Sequence, residues 1–414
     1  TDSSGRIQVY LRRQSVSEDT YNLFKKLDLG DLVGISGRLF KTRTGELTLL
    51  PSSLELVTKG LWPLPEKYHE LSAEMRHRRR YVDLIMNEDS RRVFQLRSLT
   101  VAALRDFMAE RGFLEVETPM MHVIPGGASA RPFETFHHAL DRRLYLRIAP
   151  ELYLKRLLVG GFDRVFEINR CFRNEGLSVQ HNPEFTIMEF YQSYADYADL
   201  MELTEEMFVA VALKVRGATA FTYQERPVDF RRPWRRLRFY DALVEIGDAP
   251  PAVLTDRGAA LEHLRRLGGE KSDRDVLGKI QAKIFDLQVE PNLVDPTFIT
   301  HYPADISPLA RRSEETPDLT DRFELFITGR ELANAFSELN DPLDQRERFH
   351  LQAAGRAAGD EEGMYLDEDY IRALMYGMPP AAGEGVGVDR LVMLLADVPS
   401  IKDVILFPHM RPAG

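Results

Sequence analysis

Cysteine is almost absent from this chain. Cys171 is the only one in 414 residues, which excludes an internal disulfide framework and any Cys-rich zinc site. A reducing cytoplasm is the simplest compartment for such a chain. Long apolar runs are missing as well. None approaches the roughly 18–20 residues that cross a bilayer, so no membrane partner is expected. The polar start Thr1-Asp2-Ser3-Ser4-Gly5 lacks the basic and apolar regions of a secretory signal. It also lacks an initiator Met, and the chain is expected to begin inside a longer protein. Positive charge is not in excess: 54 Lys and Arg against 64 Asp and Glu leave a net charge of −10. That argues against a DNA-coating partner, although local basic patches can still bind nucleic acid. His-Glu-x-x-His, the P-loop and the Gly-x-Ser-x-Gly elbow are all missing. What remains is a globular composition, 44% hydrophobic and 29% charged, in a chain long enough for two or three domains.

Residues 1–62 read as a small β-unit, plausible as part of a barrel. Strands are expected over 6–11, 32–40 and 46–50, separated by turns at Gly30-Asp31 and Thr44-Gly45. The Pro-punctuated stretch Leu61-Trp62-Pro63-Leu64-Pro65 is a linker, and residues 63–414 form the second part. There a helix is expected over 89–111, capped by Ser90 and ended by Gly112, with a strand over 113–117. Pro150 opens a helix that Gly160-Gly161 closes. Residues 165–168 and 185–191 read as strands, and 240–290 as a helical insertion. Residues 323–327 and 332–339 read as a hairpin around Gly329. The glycine-rich stretch 383–387 leads into a last helix over about 389–396. Strands mixed with helices, without strict alternation, predict an α+β fold with an antiparallel sheet.

In the strand over 185–191 side chains alternate, so Phe185, Ile187, Glu189 and Tyr191 share one face, while Thr186, Met188 and Phe190 face helices. Phe185 and Glu189 would stand roughly 13 Å apart, a span that suits a ligand with one stacked and one cationic end. A strand with one face in water is the simpler reading. Arg173 offers a planar fork for phosphate or carboxylate, and Glu175 an acceptor for an amino group; both also suit a surface turn. Glu324, Glu331 and Glu338 lie in or beside the hairpin, and two converging carboxylates are what Mg²⁺ takes. Alternation puts Asn334 and Glu338 on one face and Glu331 on the other, so a bulge must re-aim one of them or Glu331 must sit at the turn. Glu151 opens a helix, where the macrodipole alone favours an acid; the functional alternative is an acid aimed at an ammonium group. The glycines of 383–387 would let backbone approach a ligand, with Arg390 in the following turn. The basic clusters 76–80 and 231–238 (around Trp234) are RNA-facing, interfacial or merely solvated.

Taken in order, these pieces resemble a class II aminoacyl-tRNA synthetase, specifically a lysyl-tRNA synthetase of bacterial type. The first class motif is similar to Arg111-Gly112-Phe113-Leu114-Glu115-Val116-Glu117-Thr118-Pro119. The second is similar to Phe172-Arg173-Asn174-Glu175 continuing through His181-Asn182-Pro183-Glu184-Phe185-Thr186, and the third to residues 383–390. Family features fill the gaps, among them Pro125-Gly126-Gly127-Ala128-Ser129-Ala130-Arg131-Pro132-Phe133, Ala149-Pro150-Glu151-Leu152-Tyr153 and Asn334-Ala335-Phe336-Ser337-Glu338-Leu339-Asn340-Asp341-Pro342. The resemblance spans essentially the whole chain.

The resemblance implies an antiparallel catalytic sheet flanked by helices, preceded by a partial anticodon-binding OB-fold, and a homodimer joined through the first motif. The implied reaction activates L-lysine with ATP to lysyl-adenylate and passes lysine to the 3′ end of tRNA-Lys. By the same resemblance Arg173 grips the α-phosphate and the lysine carboxylate. Phe185 and Arg390 cover the two faces of adenine, Glu175 reads its amino group, and His181 lies near the outer phosphates. Glu324 and Glu331 hold Mg²⁺. Gly127 and Glu151 meet the α-ammonium; Glu189, Tyr191, Asn334 and Glu338 surround the ε-ammonium; and Gln8 reads an anticodon base. Two departures stand out: a segment around 74–80 one residue shorter than usual, and Met375 where a glutamate is expected. Competing readings are a protein-lysylating paralogue, a sister aspartyl or asparaginyl enzyme, and a catalytically silent RNA-binding homologue.

Overall fold

A computed structural model describes residues 2, 5–65, 71–269, 275–357 and 363–412. Thr1, Ser3 and Ser4 of the polar start, and 270–274 of the expected helical insertion, lie outside the described residues. The chain divides into two compact units, Thr1–Met86 and Asn87–Gly414.

In the first unit β1 (Gln8–Val9) pairs in parallel with β3 (Leu47–Thr58), which pairs antiparallel with β2 (Leu32–Lys41). Between β1 and β2 lies helix α1 (Glu18–Phe24), whose first turn is closed by the Ser17 hydroxyl accepting from the Thr20 N–H. β3 runs eight residues past the expected end at 50, straight through Pro51. The reason is a register shift between Ser36 and Gly37: Pro51 falls opposite Gly37 at the irregularity, where no ladder donor is lost. A Cβ at Gly37 would stand 2.1 Å from the Leu50 carbonyl oxygen, so the close approach admits only glycine there. Two arginines of the basic cluster at 76–80 are paired in their own unit, and Arg79 is exposed. Arg78 pairs with Glu74 at 2.7 Å, and Arg80 is buried with Asp83 at 2.6 Å.

The second unit is built on an eight-stranded sheet. In chain order its strands are β4 (Leu114–Glu115), β5 (Arg164–Phe172), β6 (Glu184–Ser193), β7 (Arg235–Arg238), β8 (Thr297–Thr300), β9 (Arg322–Phe326), β10 (Glu331–Ser337) and β11 (Ala381–Gly387). Across the sheet the order is β7-β8-β9-β10-β11-β6-β5-β4. The interior pairs are antiparallel, and only the edge pairs β7–β8 and β4–β5 are parallel. The expected α+β fold with an antiparallel sheet is the one observed.

One face of this sheet is the core. Phe166, Met188, Phe190, Ala335, Ala382 and Val386 pack there against helices α2 (Glu88–Glu110), α4 (Tyr197–Arg216) and α5 (Val388–Ala396). Helix α2 begins at Glu88, so Ser90 lies inside it rather than capping it. Gly112 ends it at φ +77°, with the Phe113 N–H reaching back to the Met108 carbonyl. Helix α4 was not expected, although Asp196 caps its start and Gly217 (φ +75°) its end. Residues 240–290 hold helices Phe239–Glu245, Arg257–Arg266 and Leu277–Gln288 around their own cluster of Phe239, Leu264, Ile284 and Phe285. In the cluster at 231–238 Trp234 is buried, while the arginines are exposed, with Arg231, Arg232 and Arg235 in pairs with Asp229, Glu205 and Glu245.

One acid lies on the core face. Glu384 in β11 is buried, and among the described residues its only hydrogen-bond partner is the Thr204 hydroxyl at 2.6 Å. That hydroxyl stands equally close, 2.6 Å, to the Leu200 carbonyl. It has one proton for two acceptors, so the carboxyl must carry the second. Burial accordingly pushes the Glu384 acid up to about 8.

Candidate active site

The opposite face of the sheet carries a cavity of about 380 Å³. Alternation in β6 delivers Phe185, Ile187, Glu189 and Tyr191 to it and sends Met188 and Phe190 to the core, as expected. The floor is β11. Its residues 383, 385 and 387 are glycines set opposite Tyr191, Glu189 and Ile187. A Cβ at Gly383 would meet the Tyr191 ring at 2.2 Å and Glu338 Oε1 at 2.5 Å. Glycine makes a poor strand, so from the sequence this stretch reads as a glycine-rich entry to the last helix; the strand exists because the neighbouring side chains need the room.

Helix α3 (Glu151–Val159) forms one wall and begins where Pro150 predicts. Gly127, at φ +86°, lies against it: a Cβ there would stand 3.0 Å from those of Ala149 and Glu151. The question of the Glu331 face has a structural answer. Phe326 pairs with Glu331 but Leu325 with Ala333, so Leu332 is an extra residue. This bulge switches the alternation and brings Glu331 to the same side as Asn334, and both line the cavity.

At one end the Arg173 guanidinium lies 5.0 Å from the Phe185 ring centroid. Arg173 Nε is buried without a hydrogen-bond partner, and among the described residues Arg173 has no ion-pair partner. Arg390 donates to the Glu331 carbonyl at 2.7 Å and to its carboxylate at 3.1 Å. Its other nitrogen stands 3.3 Å from His181 Nε2. Burial, then Arg390 and Arg173, lower the His181 pKa and keep the ring neutral. Glu175 lines this end from an exposed turn. Asp389, next to Arg390, accepts from the Thr186 N–H at 2.7 Å and pairs with Arg97 of α2, whose other nitrogen bonds the Thr186 hydroxyl. This clamp ties the neighbours of Phe185 and Arg390 together.

At the other end stand the carboxylates. Glu189 is buried and accepts from the Tyr191 hydroxyl at 3.0 Å; burial, then the charge of Glu151, pushes it up to about 8. Glu151 lines the cavity, whereas Glu338 does not. Glu338 is buried behind Tyr191 and Gly383, paired with Lys155. Lys155, fully buried, also reaches Glu151 at 2.5 Å. Burial raises Glu338, and Lys155 opposes it. A protonated Glu338 would have no acceptor for its O–H among the described residues, so we take it as ionised against Lys155.

Glu324 in β9 is not among the lining residues. Its oxygens meet Arg322 and, at 2.8 Å, the Tyr302 hydroxyl. Burial raises it to about 7, with Glu331 adding to the shift. Asp286 and Glu290 belong to the same acidic neighbourhood, at about 6 and about 7. Gln8, in the first unit, is exposed, with its amide oxygen accepting from Thr48 at 2.9 Å.

The sequence reading therefore gathered Gly127, Glu151, Arg173, Glu175, His181, Phe185, Glu189, Tyr191, Glu331, Asn334 and Arg390 around one cavity, with Glu338 and Glu324 just behind its lining. It missed Arg322, which lines the wall and donates to Asn334 Oδ1 at 3.1 Å, and it missed Lys155. The only signal for Lys155 was its i,i+4 spacing from Glu151, which any surface helix pair shares.

Residues 72–411 match the family model for tRNA synthetases class II (D, K and N), and residues 1–57 match the OB-fold nucleic acid binding domain. A lysine–tRNA ligase of Thioalkalivibrio sulfidiphilus is 58% identical over 413 residues, covering 99% of this chain and 83% of the relative. One from Carboxydothermus hydrogenoformans is 57% identical over 99% of this chain and 84% of its own length. One from Ectopseudomonas mendocina is 55% identical over 99% and 82%. With an aromatic-and-arginine end, an acid-lined end and an antiparallel floor between them, the chain belongs to the class II tRNA synthetases, and within them to the lysine–tRNA ligases.

Proposed function

We propose that the cavity holds ATP at its Phe185–Arg390 end and L-lysine at its Glu151–Glu189 end, and that the two react there. A lysine carboxylate oxygen attacks the α-phosphorus, the bond to the β-phosphate breaks, and pyrophosphate leaves. A hydroxyl of the terminal ribose of tRNA-Lys then attacks the lysyl carbonyl, and AMP leaves. Such displacements need positioning and charge neutralisation more than a covalent catalyst. Arg173 grips the α-phosphate and the lysine carboxylate. Phe185 and Arg390 sandwich adenine, Glu175 takes its amino group, and His181 faces the outer phosphates. Glu151, beside Gly127, meets the α-ammonium. Glu189, Tyr191, Asn334 and Glu338 enclose the ε-ammonium, so an apolar amino acid would leave buried acids unpaired.

Glu324 and Glu331 would hold Mg²⁺. Burial chiefly raises Glu324 and the charge of Glu331 adds to it, a strain that a divalent cation would relieve; the ion would draw charge from the phosphates. Residues 1–62 bind the anticodon, with Gln8 at a base edge, and residues 63–414 form the catalytic part with its insertion at 240–290. Two copies join through the first motif, where Leu99 of α2 and Leu114 of β4 are 57% and 47% exposed. The protein works in the cytoplasm, where its one thiol, buried and pushed up to about 12, stays reduced. Among the described residues no helix is long and apolar enough to cross a membrane.

The observation that carries this reading is the orphaned Arg173 beside Phe185, facing buried acids across one cavity. The OB-fold match over residues 1–57 disfavours a protein-lysylating paralogue, which typically lacks that barrel. ATP–pyrophosphate exchange measured with each of the standard amino acids should depend on lysine, and exchange driven by aspartate or asparagine instead would overturn the reading.

A further inference from the structure

Resting on that reading of the acid-lined end, we propose that Lys155 is a specificity-determining positioning residue, a resident cation that sets the pocket's charge at minus two, the value a diammonium amino acid neutralises. Three carboxylates border this end. Lys155, one helical turn after Glu151, places its Nζ 2.5 Å from Glu151 Oε1 and in contact with Glu338 Oε2. It cancels one of the three negative charges. The two that remain match the two ammonium groups of lysine, while the substrate carboxylate faces Arg173.

Among the described residues the surroundings supply no other cation for this role. Lys155 Nζ is 5.2 Å from the Phe336 ring centroid and is faced by Tyr370 of helix Glu368–Met375, whose hydroxyl is buried without a partner among the described residues. Arg322 of β9 acts on Glu151 but is bound to Glu324, Asn334 and Ser307. Glu189 is faced by Tyr191, by the neutral thiol of Cys171, and by Arg147 and Arg173. Arg147 is already paired with Glu167 at 2.7 Å. A pocket of three acids without Lys155 would present one negative charge too many to any diammonium ligand, and an unpaired buried charge costs several kcal/mol.

The charge count predicts a proton count. Burial raises Glu151 and Glu338, and Lys155 opposes it at both; on this proposal the two acids that Lys155 contacts are ionised in the empty protein, and Glu189 is the acid that holds a proton at neutral pH. Calorimetric titration of the full chain with L-lysine at pH 7, in buffers of different ionisation enthalpy, should release no more than one proton per lysine bound. Release of two or more would mean that Lys155 does not keep its partners ionised, and would overturn the proposal. Lys155→Met keeps the shape and removes the charge. In lysine-dependent exchange its acidic limb in kcat/KM should move up by at least one pH unit, and its KM for lysine should rise at least tenfold at pH 7, with the KM for ATP within twofold. An unmoved limb, or equal losses for both substrates, counts against the role. If Lys155→Met does not fold, the wild-type proton count decides alone. Absence of lysine-dependent exchange in the wild type would instead bring down the lysine reading itself.

Discussion

Replacing Glu384 by Gln should make the protein more stable, and increasingly so as the pH rises. The acid titrates at about 8 in the folded chain against an ordinary value of 4.5. A raised carboxyl pKa means that the folded state holds the proton more tightly, so the residue's full contribution is present below pH 4.5 and is lost as the pH climbs towards 8. The loss amounts to about 1.4 kcal/mol per pH unit, and so to about 3 kcal/mol at pH 7. Glutamine can donate to the Thr204 hydroxyl as the protonated acid does, leaving Thr204 free to donate to Leu200, and it does not ionise. Urea unfolding of both proteins at pH 5, 6, 7 and 8 tests this. Tryptophan emission is a suitable probe, because Trp234 is 6% exposed in the core of this unit while Trp62 is already 83% exposed. The difference in stability between variant and wild type should be small at pH 5 and grow steadily to pH 8. Parallel curves would refute both the shared-proton argument and the buried-acid reading of Glu384.

Two further outcomes are expected. The KM for lysine in the exchange assay should fall about tenfold per pH unit between pH 6 and 8 and then level off, because on the proposed reading lysine pairs with ionised Glu189 and burial pushes the free acid up to about 8; Glu189→Gln should remove that slope and raise the KM for lysine at least about thirtyfold at pH 8. Gly383→Ala should lower stability by about 1–3 kcal/mol and abolish lysine-dependent exchange while ATP binding persists, since the added methyl meets Tyr191 and Glu338; unchanged exchange would show that the floor has more room than the distances imply.

Much of the fold was legible where local chemistry punctuates it. Pro150 and Gly160-Gly161 bracket helix α3 to the residue, and the alternation of β6 separated cavity from core correctly. Asp196 and Gly217 bracket helix α4 just as clearly, so the sequence carries its signal too. Other features depend on packing between distant segments, and no local pattern encodes that. The glycine strand β11 is a strand only because Tyr191 and Glu338 fill the space above it. Lys155 looks like half of a solvated helix pair until Glu338, 183 positions away, is seen to bury it. Alternation stated the Glu331 problem but could not say where the irregularity lay.

Because strands have only two sides, the placement of Glu331 is a matter of parity. The single supernumerary residue Leu332 toggles it. Removing or adding one residue between Glu331 and Asn334 would turn Glu331 away from the cavity, whereas a change of two residues would restore the original side. Length variation at this point of the strand should therefore be tolerated in steps of two, and the bulge behaves as a counting device for the charge that faces the cavity.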